Sequence, residues 1–180
     1  MPLLTEPARE SLATAAESCL YLPEVKTVGV PDRMVRTEYD ACDRVSEIPL
    51  FAEFRQAFQA LLDESLQTVH PYPFSSKLEF NSLVLQRYEP GQLGITPHRD
   101  SLGAVNLIAL VNLNGSAEFY RCDDRQGTNA VQLDTTPGNT IFLRAPGFLN
   151  ATVRPFHFLT HVRSTRYSLG LRQRVKRENT

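Results

Sequence analysis

The chain has 180 residues, of which 42% are hydrophobic and 22% charged, as in a single globular domain. Its formal net charge of −1 argues against a protein that grips nucleic acid or an anionic membrane by general electrostatic attraction. The cysteines Cys19, Cys42 and Cys122 are odd in number and widely spaced, so neither a disulfide framework nor a zinc-thiolate site is expected. No signal peptide or membrane-spanning stretch is expected either, which makes the cytoplasm the default location.

Residues 1–76 are predicted to be a helical support region. Apolar residues recur at three- and four-residue steps after Thr5, an expected N-cap, with Pro7 near the first turn. A second helix is predicted over residues 51–66 by the same spacing, and a strand is expected near residues 25–30. Each amphipathic helix needs an apolar partner, and the outer face of a β-sheet is the expected one.

Residues 77–175 carry the pattern of short β-strands. Apolar and polar residues alternate along residues 82–88, Asn114-Gly115 predicts a hairpin turn, and Pro137-Gly138 predicts a further turn. Further strands are expected over residues 104–112, 119–120, 130–133, 140–144, 157–162 and 166–175. This pattern predicts a mainly β fold with N-terminal helices, of the jelly-roll or sandwich type, in one domain over residues 1–180.

A candidate metal site begins at His98-Arg99-Asp100. Side chains alternate along an extended segment, so His98 and Asp100 point the same way and can offer two ligands to one ion. His157 is the next histidine along the chain and is the expected third ligand. Two histidines and one carboxylate are the facial triad of non-haem iron(II) oxygenases, which leaves positions open for a keto acid and O₂. His161 is the rival third ligand, but it would leave only a short connection to the last strand.

His98, Asp100 and His157 are called the triad below. A candidate carboxylate clamp follows it, because Arg166 and Ser168 share one face of the last predicted strand with Arg172. A guanidinium beside a hydroxyl can bind a carboxylate through charge-assisted hydrogen bonds. The distal carboxylate of 2-oxoglutarate would require such a clamp. Arg166 is the expected cation, Ser168 the second donor and Arg172 the alternative cation.

The His98-Arg99-Asp100 segment, the later His157 and the final Arg166 and Ser168 follow one another among predicted β-strands. In this arrangement they resemble the motifs of the 2-oxoglutarate- and iron(II)-dependent dioxygenase superfamily, over roughly residues 78–174. The resemblance implies a double-stranded β-helix (jelly roll, cupin-like) over residues 77–175, with Fe(II) bound by the triad. It also implies that O₂ and 2-oxoglutarate are consumed and that succinate and CO₂ are released. Tyr88 is similar to a tyrosine that touches the co-substrate in some members; a core aromatic is the alternative interpretation.

Local likeness is greatest to the AlkB-type branch, through Arg87-Tyr88-x-Pro90-Gly91 and the segment from Arg166 to Arg172. Gln86 and Ser168 stand where that branch tends to have asparagine. The basic nucleotide-recognition segment of that branch has no counterpart in this sequence. The likeness therefore bears on fold and cofactors more than on the substrate.

The leading hypothesis is an enzyme that hydroxylates or otherwise oxidises a small molecule, with nucleic acid not expected as a partner. The alternatives are an AlkB-like demethylase of a methylated base or protein side chain, a non-redox cupin-like metal-binding protein, and an inactive relative that serves as a binding module. Substrate-lining candidates, chosen by nearness to the triad or by position on barrel strands, are Phe80, Arg99, Asn106 and Arg144. Either Arg99 or Arg144 could hold an acidic group of the substrate or form a surface ion pair.

Overall fold

Two helices and twelve strands make up the computed structural model, which describes residues 4–31, 33–149, 151 and 153–175. The helices are α1 (Glu6–Glu17) and α2 (Pro49–Gln67), with a short 3₁₀ helix at Val45–Glu47. The strands are β1 (Leu22–Pro23), β2 (Lys26–Val28), β3 (Val35–Glu38), β4 (Asp40–Cys42), β5 (Ser82–Tyr88), β6 (Gly94–His98), β7 (Ala104–Asn114), β8 (Glu118–Cys122), β9 (Val131–Leu133), β10 (Thr140–Arg144), β11 (Phe156–Thr160) and β12 (Arg166–Arg174).

The strands form two six-stranded antiparallel sheets. The first, called the major sheet, has the order β1-β4-β5-β12-β7-β10, and the second, called the minor sheet, has the order β2-β3-β6-β11-β8-β9. From β5 onward the chain passes repeatedly from one sheet to the other, which is the topology of a jelly roll. The predicted mainly β jelly roll with N-terminal helices is therefore confirmed.

Both helices pack on the outer face of the major sheet. Along β12 the side chains alternate, so that Tyr167, Leu169 and Leu171 join the apolar core beneath the helices. The helices contribute Leu12, Ala13, Ala16, Phe51 and Phe58 to the same core. Thr5 is the N-cap of α1, as expected, although its side chain makes no capping hydrogen bond. On the other face of β12, Arg166, Ser168 and Arg172 line a small cavity between the sheets.

The predicted hairpin at Asn114-Gly115 is wrong in its pairing. Strand β7 pairs with β10 and β12, whereas β8 pairs with β9 and β11, so this turn carries the chain from the major to the minor sheet. Gly115 has a φ of 78°, and a Cβ there would collide with the carbonyl group of Thr165. An Asn-Gly pair indicates that a tight turn with positive φ is easy to form, but it does not fix which strands pair.

Residues 1–76 supply strands as well as helices. Strand β2 lies where one was expected, and three further short strands, β1, β3 and β4, flank it. Because β3 pairs with β6 and β4 pairs with β5, this part of the chain extends both sheets. The assignment of residues 1–180 to a single domain stays a prediction. In the described part of the chain, neither helix is long and apolar enough to cross a membrane.

Candidate metal and co-substrate site

Neighbouring strands of the minor sheet bring the triad together. His98 ends β6 and lies directly opposite His157 of β11, so their ring centroids are 4.3 Å apart. Asp100 follows β6 by two residues, and its Oδ2 atom lies 3.9 Å from Nε2 of His157. The two segments that the sequence indicated as metal-binding are therefore adjacent at one end of the jelly roll.

Hydrogen bonds orient both imidazoles. Nδ1 of His98 lies 3.0 Å from the carbonyl oxygen of Thr96, and Nδ1 of His157 lies 3.3 Å from that of Pro155. A carbonyl oxygen can only accept, so each Nδ1 carries the proton and each Nε2 keeps a free lone pair. Burial lowers the pKa of His98 to about 4 and also lowers the pKa of His157. Both rings are therefore neutral near pH 7, the form that binds metals.

Asp100 presents an unsatisfied oxygen beside these rings. Its Oδ1 accepts a hydrogen bond from Nη2 of Arg172 at 3.2 Å, whereas its buried Oδ2 has no hydrogen-bond partner among the described residues. Burial is the largest single influence on Asp100 and acts to raise its pKa, but the charge and hydrogen bond of Arg172, together with the two imidazoles, outweigh it, so the pKa is lowered and the carboxylate stays charged. A buried charged oxygen without a partner is costly, and a divalent cation would satisfy it.

The chemistry of the triad fits iron(II), although its side chains are not arranged as a finished site. In the present rotamers, no three His, Cys, Asp or Glu residues of the described ranges are grouped so that they could hold one metal ion. Two imidazole nitrogens and one carboxylate oxygen are nevertheless the ligand set that non-haem iron(II) oxygenases use. Small side-chain rotations would be needed to turn all three toward one ion.

A small cavity of about 30 Å³ adjoins the two imidazoles. Its wall includes Arg166, Ser168 and Tyr88, from the paired strands β12 and β5. The volume suits only about one or two water molecules, so a bound keto acid would require these side chains to move.

Arg166 is a buried cation without a counter-charge among the described residues. It forms no ion pair with their carboxylates, its Nε atom has no hydrogen-bond partner, and its guanidinium lies 5.6 Å from the ring centroid of Tyr88. Burial lowers the pKa of Arg166 to about 10, which still leaves the group charged at neutral pH. Burying an unpaired charge is unfavourable, so this position favours an anionic ligand.

The rival residues differ in where they lie. His161 is exposed, and its Nδ1 lies 3.0 Å from an oxygen of Glu118. Arg172, the alternative clamp, lines the same small cavity as Arg166, but its guanidinium is engaged with Asp100. His70 is exposed in the connection after α2.

Two of the substrate candidates do not line the cavities next to the triad. Phe80 is fully buried and stacks on Phe58 of α2, with ring centroids 5.7 Å apart. Asn106 has a φ of 60° and is buried, and its amide donates to Oε1 of Gln173 at 2.8 Å and to Oγ of Ser76 at 2.9 Å. Both side chains hold segments of the chain together. Phe80 joins the segment before β5 to α2, and Asn106 joins β7 to β12 and to Ser76.

The other two candidates, Arg99 and Arg144, line a cleft of about 600 Å³. Arg121 and Arg154 line it as well, and sequence reasoning missed both. Arg121 lies opposite His157 in the pairing of β8 with β11, a register that the sequence alone did not reveal. A cavity of about 650 Å³ beside the end of α2 shares no lining residue with this cleft or with the cavity at the triad.

No protein-family model and no curated protein matches the sequence. Solved structures match it in fold. A prolyl hydroxylase from Trichoplax adhaerens, in complex with a hypoxia inducible factor peptide fragment, superposes with a TM-score of 0.66 at 10% identity, covering 95% of this chain and 80% of that chain. A protein of the 2OG-Fe(II) oxygenase family from Burkholderia pseudomallei gives 0.54 at 13%, covering 91% and 76%. The chain has the fold of the 2-oxoglutarate- and iron(II)-dependent oxygenases.

A protein named OsALKBH1 shares this fold too, with a TM-score of 0.60 at 14% identity and 94% of each chain covered. The resemblance read from the sequence, including its AlkB-type component, is thus confirmed at the level of fold. At identities of 10–14%, the likeness is one of fold.

Proposed function

We propose that this chain is a 2-oxoglutarate- and Fe(II)-dependent dioxygenase that hydroxylates, or carries out a related oxidation of, a small molecule. In the balanced reaction, one atom of O₂ enters the substrate C–H bond as a hydroxyl group. The other atom enters 2-oxoglutarate, which leaves as succinate and CO₂. The observation that carries the proposal is the small cavity itself, with the imidazoles of His98 and His157 in its wall and a buried guanidinium without a carboxylate partner among the described residues beside the same space.

Each residue has a separate part in this proposal. The triad holds Fe(II), which supplies the activation of O₂ when bound. Arg166 binds the distal carboxylate of 2-oxoglutarate, and Ser168 donates a second hydrogen bond. Tyr88 closes the cavity beside Arg166, and the apolar lining excludes water from the reacting groups.

Arg172 is given a different part from Arg166, because it has a different partner. Its guanidinium donates to Oδ1 of Asp100, which keeps the carboxylate charged and leaves Oδ2 available for a metal. Arg166 has no such partner among the described residues. Arg172 therefore orients the metal ligand, and Arg166 binds the co-substrate.

The test is a succinate-release assay with Fe(II), ascorbate, 2-oxoglutarate and O₂, across a panel of metabolites and methylated oligonucleotides. We expect release that depends on both Fe(II) and 2-oxoglutarate, rises with one group of small molecules and is abolished in His98→Ala. An absence of release with the whole panel, including the slow turnover without substrate, would contradict the proposal.

The second candidate function is an AlkB-like demethylation of a methylated base or protein side chain. It is favoured by the fold likeness to OsALKBH1 and by the arginine-lined cleft next to the triad. Formaldehyde released together with succinate would identify this reaction. A cupin-like metal-binding protein without redox activity is less well supported, since it has no need of a buried unpaired cation such as Arg166.

A further inference from the structure

Four arginines line the cleft beside the triad: Arg99, Arg121, Arg144 and Arg154. Among the described residues that line it, Asp123 is the single acidic one, and its carboxylate accepts a hydrogen bond from Asn129 at 2.8 Å. None of the four guanidinium groups forms an ion pair with a carboxylate of the described residues. The cleft therefore carries a net positive charge, although the whole chain has a formal net charge of −1.

The cleft opens toward the metal ligands. A small cavity of about 10 Å³, lined by Asp100 and His157, adjoins it. Leu143, Arg144, Arg154 and Pro155 line both this cavity and the cleft, so the two are neighbours. A molecule in the cleft would thus extend one end toward the triad, on the side lined by Asp100 and His157.

Apolar and aromatic groups separate the charges. Arg99 lies 4.1 Å and Arg125 5.6 Å from the ring centroid of Phe156, so this ring holds two guanidinium groups by cation–π contact. Nη1 of Arg125 is buried without a hydrogen-bond partner. Leu133, Phe142 and Phe148 provide further apolar lining. Such a surface suits a molecule with both an apolar body and an anionic group.

We propose that the substrate is a small organic anion, with a carboxylate or phosphate group bound by the arginines of this cleft and an apolar body lying against its aromatic side chains. The assignment of this anion as substrate rests on the proposed dioxygenase function. Guanidinium groups match both carboxylate and phosphate through paired hydrogen bonds. A cleft of about 600 Å³ is of the size that small-molecule sites have.

Arg121 and Arg144 are the best positions for a test. In the sequence, Arg99 lies between His98 and Asp100, and Arg154 donates a hydrogen bond to the main-chain oxygen of Asp100. Changes at either position would therefore disturb the triad. Arg121→Gln and Arg144→Gln remove one charge each and keep a polar side chain. Arg44→Gln is the matched control, because Arg44 is exposed and pairs with Glu47 away from the cleft.

The binding experiment uses isothermal titration calorimetry on metal-free protein, with phenylbutyrate and phenyl phosphate as probes and phenylbutyramide and phenol as their neutral counterparts. We expect each anion to bind at least tenfold more tightly than its counterpart. Each cleft variant should weaken this binding roughly tenfold, about 1.4 kcal/mol, and the double variant roughly a hundredfold if the two sites act independently. The ratio of the two affinities distinguishes a carboxylate from a phosphate site.

Equal affinity for the anions and their neutral counterparts, or affinity unaffected by the cleft variants, would overturn the proposal. Much tighter, variant-sensitive binding of a methylated single-stranded oligonucleotide would overturn it in favour of nucleic acid. Succinate release with neutral compounds alone would refute the anionic substrate and support the dioxygenase. Arginine-dependent anion binding with no succinate release from any compound would support the anion site and refute the dioxygenase.

Discussion

Replacing Arg166 should weaken co-substrate binding and stabilise the empty protein at the same time. In Arg166→Met the charge is lost but the volume is largely kept. Removing one member of a buried charge pair costs about 2–5 kcal/mol, so 2-oxoglutarate should bind roughly 30- to several thousand-fold more weakly. Without the co-substrate, the same change removes a buried cation that has no carboxylate partner among the described residues. The free energy of unfolding should then rise, by about 1–3 kcal/mol.

A loss of 2-oxoglutarate affinity together with a gain in the free energy of unfolding distinguishes the loss of a carboxylate clamp from general structural damage. A variant that merely disrupts packing would lose both stability and affinity. The assays are calorimetric titration of 2-oxoglutarate into manganese(II)-loaded protein without oxygen, and urea denaturation of the metal-free protein. Manganese(II) affinity should stay nearly unchanged, and Arg163→Met, at an exposed arginine that pairs with Glu118, serves as control. Unaltered 2-oxoglutarate affinity in Arg166→Met would refute the clamp, and a large loss in Arg172→Met instead would move it to Arg172.

Two further predictions concern the metal ligands and the core. His98→Ala, Asp100→Ala and His157→Ala should each abolish tight manganese(II) binding in a calorimetric titration, because a three-ligand site rarely survives as two. His161→Ala should retain most of that binding; the reverse pattern would show that the third ligand is wrongly assigned. Phe80→Ala should lower the free energy of unfolding by about 3–5 kcal/mol, measured by urea denaturation, and leave 2-oxoglutarate affinity nearly unchanged. A selective loss of 2-oxoglutarate affinity with intact stability would instead return Phe80 to the ligand site.

Parts of the site were predictable from the sequence because they depend on local geometry. His98 and Asp100 lie two residues apart, and the residues of β12 alternate, so their common faces follow from the strand period alone. Contacts that depend on which strands pair cannot be predicted in this way. Arg121 comes to lie opposite His157 only because β8 and β11 are neighbours with that register. No local signal in the sequence specifies such a contact. Arg154 is a different case, because it lies three residues before His157 in the sequence and its nearness to the triad could have indicated it.

The errors in the fold have a similar cause. The Asn114-Gly115 pair gave a correct turn and an incorrect hairpin, since the energetics of a turn do not determine which sheet receives the next strand. Nearness to the triad segments and position on a predicted barrel strand, the grounds for the substrate-lining candidates, give the wrong place for Phe80. Its stacking on Phe58 depends on where α2 lies, which is a tertiary fact. Short strands such as β1 and β4 have too few residues to show a period.

The position of β12 also has a consequence for folding kinetics. It is the last strand of the described chain, yet it lies between β5 and β7 in the interior of the major sheet, and its Arg166 pairs with Tyr88 far earlier in the sequence. Such long-range pairing is slow to form. During synthesis, β5 and β7 would emerge from the ribosome with neighbouring edges unpaired until β12 arrives. The nascent chain would then be most prone to aggregation just before β12, and with it the proposed co-substrate clamp, is added.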